Sequence, residues 1–207
     1  MIQALLTLIF VVAYVVSNVI TAKQLQFPFG ITMTGAVFTF PITYVLSDMF
    51  SEVYGYKWSR ITCYLAFLSS LFATVIFQLV IITPAPAHWT GQEAFVTTLG
   101  ASPRILASSV TAFVLGDFVN DRVFRRMKRK HDDMKGFAWR AILSSLCGET
   151  VDCAVFLPLA FIGTMPLSNL VIMAITQVFL KTGYEVVIIP LTTFVTKKVL
   201  AAEQTIV

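Results

Sequence analysis

Six apolar stretches of about 20 residues each run through the chain, at 3–20, 31–50, 61–83, 104–121, 141–163 and 169–196. As a helix, each is long enough to cross a hydrocarbon layer of ~30 Å. Inside lipid every backbone N–H and C=O must bond within the protein, so runs of this length have helix as their default. The expectation is an all-α polytopic membrane protein with six transmembrane helices, built as a single domain over residues 1–207. Composition agrees, with 57% hydrophobic and only 13% charged residues, against about 25% charged in a soluble domain. The remaining length leaves no room for a sizeable soluble domain. The N-terminus is apolar from Ile2 and lacks a basic leader, so it reads as a retained first span. Pro41, Pro158 and Pro190 fall inside the expected spans as kinks or packing features.

Charge orients the spans. Lys57 and Arg60 follow the second, eight basic residues between Arg122 and Arg140 follow the fourth, and Lys197 and Lys198 follow the sixth. Twelve of the 15 basic residues thus fall on one side, while Lys23 and Arg104 fall on the other and Lys181 within the membrane. The positive-inside rule then predicts that both termini are cytoplasmic. Such a basic loop needs no nucleic acid to explain it, because lipid headgroups suit it. The long outer loop, 84–103, carries Trp89, Phe95 and Leu99 and reads as an interfacial lid or a plain connection. The three cysteines, Cys63, Cys147 and Cys153, read as small buried apolar residues, with neither disulfide nor metal.

Acidic residues are distributed against expectation. Of the 11, seven lie in or beside spans: Asp48, Glu52, Asp117, Asp121, Glu149, Asp152 and Glu185. Asp48/Glu52 and Asp117/Asp121 sit in a faint repeat, Val45–Glu52 against Val114–Asp121. Repeats of this kind are common in transporters. Deeper in the membrane, Glu149 and Asp152 share a face of the fifth span. Gln177, Lys181 and Tyr184 share one face of the sixth, with Glu185 on its shoulder. A charge at that depth costs about 2.5–3.5 kcal/mol on the insertion scale, so Lys181 and a carboxylate are expected to pair or to line a polar cavity. Asn18 fits an interhelical hydrogen bond and Arg104 an interfacial anchor.

Missing motifs narrow the function. No phosphate-binding G-x-x-x-x-G-K-[ST] loop, H-E-x-x-H or G-x-S-x-G occurs, and His88 and His131 fall in loops. The chain is therefore not expected to be an enzyme, and no cofactor is implied. Filter-like repeats of a channel are also lacking.

The run Phe40-Pro41, then Ser47-Asp48-Met49-Phe50-Ser51-Glu52-Val53-Tyr54-Gly55, resembles the queuosine precursor transporter family, also called the vitamin uptake transporter group. So do Ser17-Asn18, Arg104-Ile105 with Ala107-Ser108 and Gly116, Ser144-Ser145 with Gly148 and Asp152, and Lys181 before Pro190. The resemblance implies a six-helix importer, in a bacterial inner membrane, of a 7-deazapurine such as 7-cyano-7-deazaguanine (preQ0) for tRNA queuosine modification. It carries over Asn18, Asp48, Arg104, Asp152 and Lys181 as family positions. Glu52, Asp117 and Glu149 stand where relatives also use other residues.

The residues suit such a ligand. A guanine-like base offers adjacent N–H donors that a carboxylate accepts bidentately, either Asp152 or Glu149. Its carbonyl wants a donor, from Lys181, Gln177 or Asn18. Its ring could lie on Phe40, Phe156 or Tyr184. Asp48 and Arg104, near opposite faces, suit inner and outer gate contacts. The expected mechanism is alternating access, with protons the candidate coupling ion and membrane lipid the surroundings. A homo-oligomer is compatible with the sequence. Two other readings stand beside it: the substrate-binding subunit of an energy-coupling-factor vitamin transporter, and a structural membrane protein that needs Lys181 and Asp152 only for packing.

Overall fold

The computed structural model describes residues 2–28, 31–128 and 137–204. Helix dominates. Five helical stretches are long and apolar enough to cross a membrane: Ile2–Ile20, Tyr56–Ile82, Gln92–Asn120, Ile142–Phe161 and Leu167–Ile188. Large apolar side chains such as Phe72, Phe118, Phe179 and Val187 stand outward and exposed along them, the reverse of a water-soluble helix.

Helix α1 covers Ile2–Ile20, α3 Tyr56–Ile82, α5 Ser102–Lys128, α6 Phe137–Phe161 and α7 Leu167–Gln204. The expected second span, 31–50, is where the structure departs from the sequence reading. Its start is not helical: β1 (Gln24–Gln26) and β2 (Thr32–Thr34) form a two-stranded ribbon. A 3-10 turn over Gly35–Phe38 follows, and α2 runs only from Phe40 to Met49. The alternation Ile31-Thr32-Met33-Thr34 explains the ribbon, since β-branched residues at a two-residue period favour a strand. Gly35 then passes so close to the end of α1 that a Cβ there would stand 2.3 Å from the Ile20 carbonyl oxygen. Pro41, expected inside a span, instead lies in the first turn of α2, where its missing N–H costs nothing.

A π-helical turn, Phe50–Tyr54, ends α2, and Gly55 turns the chain at φ 83°. The second copy of the faint repeat lacks this break, because Val114–Asp121 lies within the continuous α5. Of the outer loop, Gln92–Leu99 forms a short helix, α4, and the Gln92 amide donates to the Ile81 carbonyl at 3.1 Å. Both Pro158 and Pro190 lie inside unbroken helices, α6 and α7. The part of the basic loop at 129–136 lies outside the described residues.

By its contacts the chain gathers into two units. The first comprises Met1–Gln24, Thr34–Leu106 and Val187–Val207. Its core is Phe10, Leu46, Met49, Phe50 and Ala66, with the Phe10 and Phe50 rings edge to face at 5.9 Å. Helix α3 buries its small side chains Thr62, Ala66, Ser70 and Thr74, one per turn, and Asn18 of α1 donates to Ser70 Oγ at 2.8 Å. Lipid is as apolar as leucine, so close backbone approach and interhelical hydrogen bonds replace burial as the packing force.

The second unit, Leu25–Met33 and Ala107–Val186, contains most of α5, all of α6 and the first half of α7. Its α5–α6 contact is glycine on glycine. A Cβ on Gly148 would lie 2.9 Å from Asn120 Cβ and 3.0 Å from the Gly116 carbonyl oxygen. One on Gly116 would lie 2.9 Å from the Gly148 carbonyl oxygen and 3.2 Å from Asp152 Cβ. A short connection with Gly163 at φ 84° turns α6 into α7. The two helices then pack antiparallel through Leu157, Ala160, Phe161, Leu170 and Met173.

This packing makes a test. Gly148→Ala meets the backbone of α5 and is expected to lower stability by about 1–3 kcal/mol. Gly183→Ala meets nothing within 4 Å and should add about 0.5–1 kcal/mol through helix propensity. Thermal unfolding of the two variants in detergent checks the opposite signs.

Candidate functional site

The α6–α7 hairpin brings the intramembrane ions together. On α6, Glu149 and Asp152 are three residues apart and share a face. On α7, Lys181 points toward them, its side chain leaning back toward the helix N-terminus as helical side chains do. Its Nζ donates to Asp152 Oδ2 at 2.7 Å and stands 2.8 Å from Glu149 Oε2. One ammonium thus bridges two carboxylates near the middle of the candidate spans Ile142–Phe161 and Leu167–Ile188. In place of the one expected carboxylate partner, Lys181 holds both acids of α6, while the Glu185 side chain lies outside the described residues.

Exposure separates the roles. The Lys181 side chain is 9% exposed, whereas Glu149 and Asp152 keep 20% and 26%. The ammonium is covered by its two acids, and the carboxylates keep the larger accessible surface. A charge-assisted N⁺–H···O⁻ contact of this length is strong, and in a low-dielectric site it resists separation.

Around this trio the structure adds residues that are not read as site residues from the pattern alone. Cys153 is buried beside Asp152, and its sulfur lies within 4.8 Å of the Glu149 and Asp152 oxygens. Three such ligand atoms could hold a metal ion. The Lys181 ammonium already lies between the two carboxylates, however, and a metal would place a second positive charge against it. Gly116 stands behind Asp152 and, lacking a side chain, lets α5 support it from the backbone. The signal for this was available: Ser108, Ala112 and Gly116 are small residues four apart on α5, all buried.

Of the other expected site residues, Gln177 sits one turn before Lys181 on the same face and is 1% exposed. Tyr184, on that face further along, is 37% exposed. Phe156 packs edge-on against Phe161. Asn18, Phe40, Asp48, Glu52 and Arg104 all belong to the first unit. There Asn18 ties α1 to α3, Phe40 stacks on Tyr44 at 6.1 Å, and Asp48, Glu52 and Arg104 are exposed. A groove of about 270 Å³ on the same unit is lined by Ile9, Pro41, Ile42, Val45, Leu46 and Ile188. Its lining offers no polar side chain.

The trio's coupling is measurable. Lys181→Met leaves two half-buried carboxylates without their cation and is expected to cost about 2–4 kcal/mol, somewhat less than for a fully buried pair. Adding Asp152→Asn and Glu149→Gln to Lys181→Met should recover most of that loss, because an uncharged cluster needs no counter-ion. Unfolding midpoints of the single and triple variants decide it.

Comparison with known proteins identifies relatives of this chain. A curated protein of Bacillus subtilis (strain 168), "Probable queuosine precursor transporter", is 25% identical over 154 residues, covering 74% of this chain and 67% of that one. No solved structure matches the chain. A family model described as "Putative vitamin uptake transporter" matches residues 34–195, a stretch that includes every member of the ionic trio. The chain belongs to that vitamin uptake transporter family.

Proposed function

We propose that this protein imports a queuosine precursor, 7-cyano-7-deazaguanine (preQ0) or a related 7-deazaguanine base, by alternating access for tRNA modification. Membership of a transporter family and the name of the Bacillus subtilis relative support the substrate class. The observation that carries the reading is the Asp152 carboxylate, oriented by Lys181 at 2.7 Å yet 26% exposed. A guanine-type base presents two adjacent N–H donors, and a carboxylate accepts both with good geometry. Because Lys181 already balances part of the acidic charge, a neutral base can bind here without bringing its own counter-ion. Rejection of wrong bases follows from leaving these half-buried acceptors unpaired.

Substrate binding by the α6–α7 face and gating by Asp48 and Arg104 complete the proposal, with protons as coupling ion and the bacterial inner membrane as location. Both termini would face the cytoplasm, which requires an even number of crossings. The broken stretch Gly35–Tyr54 then supplies the sixth. Its 20 residues, partly 3-10, reach about 30 Å. Irregular helices of this kind are tolerated in membranes where protein or a cavity covers them.

Two measurements test this. Added 7-cyano-7-deazaguanine should raise the melting temperature of the purified protein, by about 2.7 kcal/mol of stabilisation at one hundred times Kd. Asp152→Asn should abolish the shift. No shift with any deazapurine, beside a shift with an unrelated vitamin, would refute the substrate. Uptake by liposomes containing only this chain separates a self-sufficient importer from a subunit that needs an energy-coupling partner. A reporter fused after Gln204 should be active on the cytoplasmic side only.

A further inference from the structure

Three side chains could donate to the carbonyl of a bound base: Lys181, Asn18 and Gln177. The structure commits two of them. Lys181 Nζ is engaged by Asp152 and Glu149, and Asn18 Nδ2 donates to Ser70 Oγ at 2.8 Å. Gln177 differs. It is 1% exposed, and its Nε2 is buried without a hydrogen-bond partner among the described residues. A buried amide donor left unpaired is costly, and native proteins retain few of them.

Its position gives it a use. Asp152 lies nine residues before the end of α6, and Gln177 ten residues after the start of α7. In an antiparallel pair with a short connection, both stand about 14–15 Å along their helices from the turn. Gln177 and Lys181 are one turn apart on one face, and the Lys181 side chain leans back along that face to reach Asp152. The Gln177 and Asp152 backbone positions therefore stand at a similar height on facing helices.

We infer that Gln177 is a specificity-determining residue, whose Nε2 donates to the 6-oxo group of a guanine-type base while Asp152 accepts from its N1–H and 2-amino group. The inference rests on the proposed base-import reading and deepens it. On a guanine edge the three groups run in the order carbonyl acceptor, ring N–H donor, amino donor. An amide donor beside a carboxylate is the complement of that order. A 6-amino base puts a donor against the Gln177 donor and a ring acceptor against the carboxylate, so both contacts fail.

The experiment pairs a protein change with a ligand change. The probes are 7-cyano-7-deazaguanine and its 6-thio analogue, which keeps the N–H donors and weakens only the acceptor. The variant is Gln177→Met, of similar length and without a donor. Wild type is expected to prefer the oxo base by about tenfold or more. Gln177→Met should bind the oxo base about tenfold more weakly and distinguish the two by less than about threefold. Its ligand-free melting temperature should hold or rise, because the change removes an unpaired buried amide. A variant that keeps the wild-type oxo-over-thio ratio overturns the inference and leaves the import reading intact. Wild type that binds neither base overturns both.

Discussion

One lysine between two carboxylates, inside an apolar layer, is the contact on which the second unit is arranged. Separately, each ion would carry a solvation penalty of several kcal/mol at that depth. Together they are tolerable only within hydrogen-bonding distance, so α6 and α7 must hold a register correct to a fraction of a turn. The short connection at Gly163 and the interlocked Leu157, Ala160, Phe161, Leu170 and Met173 set that register from one end. Gly116 and Gly148 bring α5 against the same turn of α6, so the backbone behind Asp152 cannot recede. Apolar packing thus does the positioning, and the ion pair depends on it.

Much of this was legible in the sequence, for a specific reason. Glu149, Asp152 and Lys181 are conspicuous because charge is scarce in apolar runs, and pairing is the cheapest way to keep them there. Hydropathy also located α1, α3, α6 and α7 closely, since lipid imposes length and apolarity together. Residues 31–38 misled it. They are as apolar as their neighbours, and a short apolar stretch does not distinguish helix from strand by hydrophobicity alone. The deciding marks were finer: the alternation through Thr34, the close pass at Gly35, and a proline that starts a helix as readily as it kinks one. Gln177 was visible as a polar residue on the lysine face, but an orphaned donor is a property of three-dimensional surroundings and cannot be read from a pattern.

The two units solve their packing with the same device. In the first, α3 turns Thr62, Ala66, Ser70 and Thr74 inward; in the second, α5 turns Ser108, Ala112 and Gly116 inward. Both are small residues at a four-residue step, which lets helices approach closely where burial of bulk gains nothing over lipid. A hydrophobicity profile is blind to this stripe, because alanine, serine and glycine barely change it. Periodicity in side-chain size, read separately from periodicity in polarity, would have exposed both seams.

The division of labour at the trio bears on what a carrier of this design can bind. A lysine that met the ligand directly would favour anions and hold them too firmly for release. Here the ammonium is covered and turned toward protein acids, and the carboxylates keep the larger accessible surface. On the proposed import reading, a ligand meets oriented acceptors whose charge is already partly balanced, which suits a neutral molecule rich in N–H donors. Affinity rests on hydrogen-bond geometry, and geometry can be broken by a small relative movement of two helices. A site that must fill on one side of a membrane and empty on the other gains from contacts that fail together over a short distance.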